Sequence, residues 1–126
     1  PVNIVVTQPR RLAARSLCEY VSSSRGWPIG QTVGYQTSLN KQRCELTRIL
    51  YCTTGVLLQK LILSKTLQDF THIVIDEVGL SCLPPSLVHF DAFQVHERDQ
   101  AMDFLLILVR TLWLRNSSNV KIILMS

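Results

Sequence analysis

Two adjacent carboxylates, Asp76 and Glu77, follow an apolar run at residues 71–75. At the end of a buried strand, one carboxylate can hold Mg²⁺ through water while its neighbour orients or deprotonates an attacking water. Acidic pairs also occur in ordinary solvated turns, and the pair taken alone favours that simpler interpretation. Metal-assisted hydrolysis therefore becomes the better interpretation only if other segments of the sequence also indicate phosphate binding.

A second segment with possible chemistry is TQPRR, at residues 7–11. Pro9 is rigid, and Arg10 and Arg11 place two guanidinium groups at the start of a predicted helix, where they can grip phosphate. Such contacts position a nucleic acid without reading its sequence. A solvated helix N-terminus explains the same residues equally well.

A third segment, Thr53-Thr54-Gly55, separates a predicted strand from a predicted helix. Hydroxyl groups and free backbone N–H groups at this position suit a phosphate oxygen. Threonine is also a common helix cap, and the segment taken alone favours capping.

These segments are positioned by alternating strands and helices. Apolar, β-branched runs predict strands at residues 3–7, 32–35, 48–53, 71–76 and 120–125. Helical patterns cover residues 11–21, 56–63 and 98–114, and the polar residues 38–46 are predicted to form a loop. The alternation predicts an α/β domain with a mostly parallel sheet, in which ligands bind at the carboxyl ends of the strands.

Two helices carry a clear apolar face. In the first, Leu17, Tyr20 and Val21 share one side at helical spacing. In the third, the predicted buried face consists of Met102, Leu105, Leu106, Val109 and Leu112. We also expect the strand at 120–125 to be buried.

Composition limits the classes of protein. The 126 residues suffice for one domain, and 47% hydrophobic residues argue against a disordered chain. No apolar run reaches the roughly 18 residues of a membrane span, so no membrane partner is expected. The net charge of +4 divides into +6 for residues 1–63 and −2 for residues 64–126. A basic first half favours a polyanionic partner.

The four cysteines form no CxxC pair, and we predict reduced, buried thiols in an intracellular protein. A zinc site built from Cys82, His89 and His96 is an alternative, but the spacing matches no usual ligand pattern.

Five segments occur in an order that resembles the DEAH/DExH RNA helicases of superfamily 2. TQPRRLAA (7–14) is similar to helicase motif Ia, and YCTTGVLLQKL (51–61) is similar to motif Ib. THIVIDEV (71–78) resembles the strand leading into motif II, the Walker B box, and HERDQAMDFLL (96–106) resembles the sequence after it. KIILMS (121–126) resembles the strand that enters motif III. The TTGVLLQK and VGYQ stretches point toward the tudor-domain-containing, spindle-E-like germline helicases.

The resemblance implies that residues 1–126 are part of a first RecA-like lobe of the P-loop NTPase class, with flanking helices and with ATP and Mg²⁺ as cofactors. Asp76 would help hold Mg²⁺ through water, Glu77 would polarise the attacking water, and His96 would couple the nucleotide site to the second lobe. Ser126 would couple hydrolysis to unwinding. The residues implied to contact RNA backbone are Arg10, Arg11, Thr53, Thr54 and Gly55.

Two parts of the family pattern are missing from the sequence. There is no Gly-x-x-x-x-Gly-Lys-Ser/Thr loop to cradle the phosphates, and no second lobe with its arginine fingers. We therefore expect this chain by itself to be inactive as an enzyme.

The acidic box is also interrupted, since the family sequence runs Asp-Glu-Val-His-Glu-Arg without a gap. Removing the 17 residues at 78–94, which are 17 codons or 51 nucleotides, restores that sequence and keeps the reading frame. The segment begins with Val, whose codons start with GT, and ends with Phe-Gln, which can encode a pyrimidine-flanked CAG. We interpret residues 78–94 as a retained intron or gene-model error, with a genuine insertion as the alternative. If translated, the segment would separate His96 from Asp76 and Glu77.

The implied partners are RNA, bound through its backbone, the second helicase lobe of the parent chain and proteins of a germline small-RNA (piRNA) pathway. The implied location is the cytoplasm, including germline granules, with the nucleus as the alternative. Two other functions stay open. The chain could be a catalytically inactive RecA-like nucleic-acid-binding or scaffold module, or belong to a DNA helicase, since backbone contacts without 2′-OH recognition do not separate RNA from DNA.

Overall fold

A computed structural model describes residues 2–76, 97–116 and 119–125. Within these ranges one six-stranded sheet has the strand order β3-β2-β4-β1-β5-β6, and three helices flank it. The strands are β1 (Ile4–Gln8), β2 (Val33–Gln36), β3 (Lys41–Gln42), β4 (Ile49–Thr53), β5 (His72–Ile75) and β6 (Lys121–Leu124). The helices are α1 (Arg11–Arg25), α2 (Thr54–Ser64) and α3 (Glu97–Asn116).

The sheet is parallel except at one edge. β2, β4, β1, β5 and β6 pair in parallel, and β3 pairs antiparallel with β2. The predicted α/β class with a mostly parallel sheet is therefore confirmed. The prediction of a loop over residues 38–46 was wrong at β3, because a two-residue polar strand has no apolar period that a sequence pattern could reveal.

The two faces of the sheet are covered by different helices. Along β4, Leu50 and Cys52 belong to the core formed with α2 and α3, whereas Ile49 and Tyr51 pack with Cys18 of α1. Successive strand residues point to opposite faces, so α1 lies on one face and the other two helices lie on the other. Parallel sheets are usually buried on both faces in this way.

The predicted apolar face holds for one helix and only in part for another, where Val21 packs into a core cluster but Leu17 and Tyr20 are exposed. All five predicted residues of α3 are buried or partly buried in the core with α2. In α1, however, Ala14 and Cys18 are fully buried, whereas Tyr20 is 71% exposed. The small residues lie against the sheet because α1 packs closely on β2 and β4. α1 also continues past the predicted end at residue 21 to Arg25, where Gly26 caps it in the left-handed conformation at φ 68°.

The final strand differs from the prediction of a buried strand. Val120 is buried, but Ile123 and Leu124 of β6 are 44% and 57% exposed. Its apolar sequence is typical of a central strand, yet within the described residues β6 pairs only with β5. None of the described helices combines the length and apolar character needed to cross a membrane.

The structure divides the cysteines into two groups. Cys18 and Cys52 are buried, as predicted, but Cys44 is exposed, and Cys82 lies outside the described residues. Burial raises the pKa of the Cys18 thiol to about 11 and that of Cys52 to about 12, from an ordinary value of 9.0. A raised pKa keeps both groups as thiols, and the thiolate is the reactive form.

We therefore expect iodoacetamide at pH 8 to label Cys44 rapidly and to label Cys18 and Cys52 only as the chain unfolds. Peptide mass mapping over time, in a Cys82→Ser background, measures this difference. The folded state prefers the protonated thiols, so their contribution to stability is complete below about pH 9 and is lost as the pH rises toward 11–12. Rapid labelling of Cys52 in the folded protein would contradict the expectation.

Candidate functional site

The carboxyl ends of three neighbouring strands meet at one edge of the sheet. In the register of the sheet, Gln8 of β1 lies beside Thr53 of β4, and Thr7 lies beside Ile75 of β5. Asp76 follows β5 directly, and its backbone N–H donates to the Thr7 carbonyl at 3.3 Å. The segments TQPRR, TTG and the start of the acidic pair are thus brought to the same edge.

The Asp76 carboxylate is held in place by a buried neighbour. Gln8 is only 2% exposed, and its Nε2 donates to Asp76 Oδ2 at 2.6 Å. Asp76 is itself half-buried. A carboxylate fixed at the ligand edge of a parallel sheet suits Mg²⁺, which prefers oxygen ligands and usually keeps several waters.

Gln8 was absent from the predicted site residues. It is 68 positions from Asp76 in the sequence. Spacing along the chain gives no sign of such a contact, although Gln8 stands next to the predicted phosphate-binding residues.

Several predicted residues lie outside the described part of the chain. They are Glu77, His96, Ser126 and the interrupting segment at 78–94. Cys82 and His89 of the alternative zinc site lie outside it as well. Among the described residues, no group of three or more His, Cys, Asp or Glu side chains could hold a metal ion.

A cavity of about 1000 Å³ lies beside this edge, between the N-termini of α1 and α2. It brings together all five residues predicted to contact RNA backbone. Those residues are Arg10, Arg11, Thr53, Thr54 and Gly55. TQPRR and TTG, which are about 40 positions apart in the sequence, therefore form one surface.

One wall of the cavity is positively charged. Arg10, Arg11 and Arg15 are exposed residues of this wall, and no acidic side chain occurs among the described lining residues. Arg15 Nε also donates to Glu19 Oε1 at 2.8 Å, a hydrogen bond that raises the pKa of the guanidinium. The first turn of α1 contains no acidic residue that would neutralise the positive end of its dipole.

The cavity is also lined by a buried hydroxyl group that has no hydrogen-bond partner among the described residues. This group is Oγ1 of Thr54, which is 4% exposed. Leaving such a group unsatisfied costs about 1–3 kcal/mol, so a ligand oxygen placed there would be stabilised.

The competing interpretation of TTG as a helix cap receives no support from the geometry. Thr53 is the N-cap residue of α2, but its side chain makes no capping hydrogen bond. The first-turn N–H groups of α2 therefore lack a side-chain cap. A Cβ built on Gly55 would meet no heavy atom within 4 Å, so the backbone there is open to close approach.

A tight turn at residues 37–40 forms the rim of the cavity and was predicted only as loop. The Thr37 backbone N–H donates to the Asn40 carbonyl at 2.8 Å, and the Asn40 N–H donates to Thr37 Oγ1 at 3.1 Å. This turn presents three exposed residues to the cavity, namely Ser38, Leu39 and Asn40. The polar residues Thr37, Ser38 and Asn40 are the only sequence signal for the turn.

Comparison with known proteins finds similar chains among RNA helicases. The chain is 48% identical over 124 residues to the ATP-dependent RNA helicase TDRD9 of Rattus norvegicus. It is 53% identical over 125 residues to the probable ATP-dependent RNA helicase spindle-E of Drosophila ananassae, and 47% identical over 126 residues to TDRD9 of Danio rerio. These alignments cover 98%, 98% and 100% of this chain but span 8% of the length of each relative. No protein-family model matches the chain.

Proposed function

Because this chain is homologous to one segment of the ATP-dependent RNA helicases TDRD9 and spindle-E, we propose that it is part of the first RecA-like lobe of such a helicase. The chain spans only 8% of its relatives, so the proposed activity belongs to the whole protein. There, ATP hydrolysis would drive the remodelling of bound RNA. The chain alone would bind RNA without hydrolysing ATP.

The observation that carries the RNA-binding part is the single cavity shared by Arg10, Arg11 and the TTG segment. Guanidinium groups supply the charge, and the N-terminus of α2 supplies backbone donors. The buried Thr54 hydroxyl supplies a further group for a phosphate oxygen. All of these groups would bind phosphate and not the bases, so the binding should be independent of RNA sequence.

The nucleotide would bind at the same sheet edge, beside Asp76. The carboxylate held by Gln8 fits a role in binding Mg²⁺ through water. Bound Mg²⁺ would neutralise charge that develops on the phosphates during hydrolysis. In this proposal Glu77 activates the attacking water, His96 communicates with the second lobe and Ser126 couples hydrolysis to unwinding.

The proposal also includes the partners and the cellular location of the whole protein. Its partners would be RNA, the second helicase lobe and proteins of a germline small-RNA pathway. Its location would be the cytoplasm, including germline granules. The names of the relatives support the RNA and ATP parts, whereas the pathway and the location rest on the sequence resemblance alone.

Replacing Arg10 and Arg11 together by Ala should weaken the binding of single-stranded RNA by about tenfold at ~0.1 M salt, because two phosphate contacts are lost. The dependence of log K on log salt concentration should also become shallower, by about 1.4 for two contacts on a single strand. Fluorescence anisotropy with the 126-residue chain measures both quantities.

The matched control replaces Arg25 and Arg110 by Ala. Both are exposed and neither lines the cavity, so the control changes the net charge equally. Equal losses in the two double variants would show that binding follows net charge and not this cavity, and the proposed RNA site would then be wrong.

A further inference from the structure

Three cations outside the cavity form a positively charged strip, made of Lys41 of β3, Arg43 just after it, and Lys60 of α2. Arg43 and Lys60 are half-buried and line a second cavity of about 600 Å³. Asn3 and Arg48, at the amino ends of β1 and β4, line it too. The strip therefore runs from the rim of the first cavity toward the opposite end of the sheet.

The positive charges of the strip are close enough to repel one another. Burial lowers the pKa of Lys60, and the charges of Arg43 and Lys41 lower it further, whereas Cys52 and Asp69 act in the opposite direction. Lys60 lies before the last turn of α2, which contains no basic residue, so the helix dipole does little to stabilise its charge. Arg43 and Lys41 lie at and just after the two-residue strand β3, away from any helix end.

No described residue forms an ion pair with the strip, and only the more distant charge of Asp69 acts on Lys60. The one ion pair among the described residues joins Arg15 to Glu19, on α1. Glu45 and Asp69 line the second cavity, but neither forms an ion pair with the strip. Cations that repel one another and form no ion pair, two of them half-buried, suit an external anion.

The strip is continuous with the first cavity through two adjacent pairs of residues. Asn40 lines the first cavity and Lys41 follows it in the chain, while Gln59 lines the first cavity and Lys60 follows it. A polyanion in the first cavity would therefore meet the strip as its next positive surface.

We propose that single-stranded RNA continues from the first cavity along this strip, where Lys41, Arg43 and Lys60 contact successive phosphates. The inference rests on the proposed RNA-binding function and extends it to a longer footprint on this lobe. Ammonium and guanidinium groups facing phosphates give affinity without reading bases, so the extension depends on RNA length and salt but not on sequence.

The test compares binding of oligouridylates of about 5 and about 15 nucleotides, lengths near the two ends of the usual range of single-strand site sizes. The variant replaces Lys41, Arg43 and Lys60 by Gln in the 126-residue chain. Its control replaces three exposed cations elsewhere by Gln, namely Arg25, Arg110 and Arg115. We expect the strip variant to bind the longer RNA at least about tenfold more weakly, with a salt dependence shallower by about 2, and to bind the shorter RNA nearly as tightly as wild type.

Three outcomes would overturn the proposal. In the first, the strip variant loses no more affinity for the longer RNA than the control does. In the second, the strip variant loses equal affinity for both RNA lengths. In the third, the strip variant binds inorganic phosphate more weakly, but its affinity for RNA does not depend on RNA length. The strip would then be a site for small anions. Circular dichroism checks that the variants are folded. The single variants Lys41→Gln and Lys60→Gln each remove one cation, so each should show a smaller loss of affinity for the longer RNA. Failure of the Arg10 and Arg11 variants to weaken either RNA would instead refute the proposed function itself.

Discussion

Replacing Gly34 by Ala should destabilise the fold by about 2 kcal/mol, within the usual range for overpacking a close-packed site. A Cβ built on Gly34 of β2 would overlap the Gln42 carbonyl oxygen and lie 3.3 Å from the Cα and Cβ of Arg43. Two of these atoms belong to the backbone, so they can move only if β3 moves away from β2. Equilibrium urea unfolding of the 126-residue chain measures the change.

Gly55→Ala is the matched control, because a Cβ at that glycine meets open space. In the first turn of α2 the added methyl group should leave stability unchanged or raise it by up to about 1 kcal/mol, as Ala is the better helix former. Equal stability of the Gly34 and Gly55 variants would contradict the predicted overlap. Displacement of β3 should also weaken RNA binding, since β3 carries Lys41 and follows the turn on the cavity rim.

In the full-length protein, Asp76→Asn should lower RNA-stimulated ATP hydrolysis by about a hundredfold or more, a size typical of losing a preorganised electrostatic contact to the reacting phosphates. The amide keeps the shape of the carboxylate but lacks the negative charge that would bind Mg²⁺ in the proposed site. The assay is best performed with residues 78–94 removed, so that the acidic box is continuous. Asp103→Asn, at an exposed position of α3, is the matched control and should have no effect.

Gln8→Met tests how the structure positions Asp76, because it removes the donor of the 2.6 Å hydrogen bond while keeping similar bulk. We expect a smaller loss of turnover than for Asp76→Asn and a higher Mg²⁺ concentration for half-maximal activity. A purely structural role would lower thermal stability without moving the Mg²⁺ dependence. If Asp76→Asn hydrolyses ATP at an unchanged rate, the proposed role of Asp76 in the nucleotide site is wrong.

The sequence by itself determined the class of fold and the end of the sheet where the candidate site lies. Continuous apolar runs alternating with helices specify parallel strands buried on both faces. Since parallel strands end at a common edge, residues that follow different strands must come close together. The sequence therefore assigns Arg10, Thr53 and Asp76 to one region of the sheet. The roles of Glu77, His96 and Ser126 stay predictions.

Only the tertiary structure decided which side chains meet. The periodicity of α1 suggested a face with Leu17 and Tyr20, but close packing on the sheet selected the smaller Ala14 and Cys18. The contact between Gln8 and Asp76 and the second cavity shared by Arg43 and Lys60 likewise join residues whose spacing gives no sign of contact. A sequence pattern records the local period of each element, whereas these contacts depend on the register between strands and on which helix covers which face.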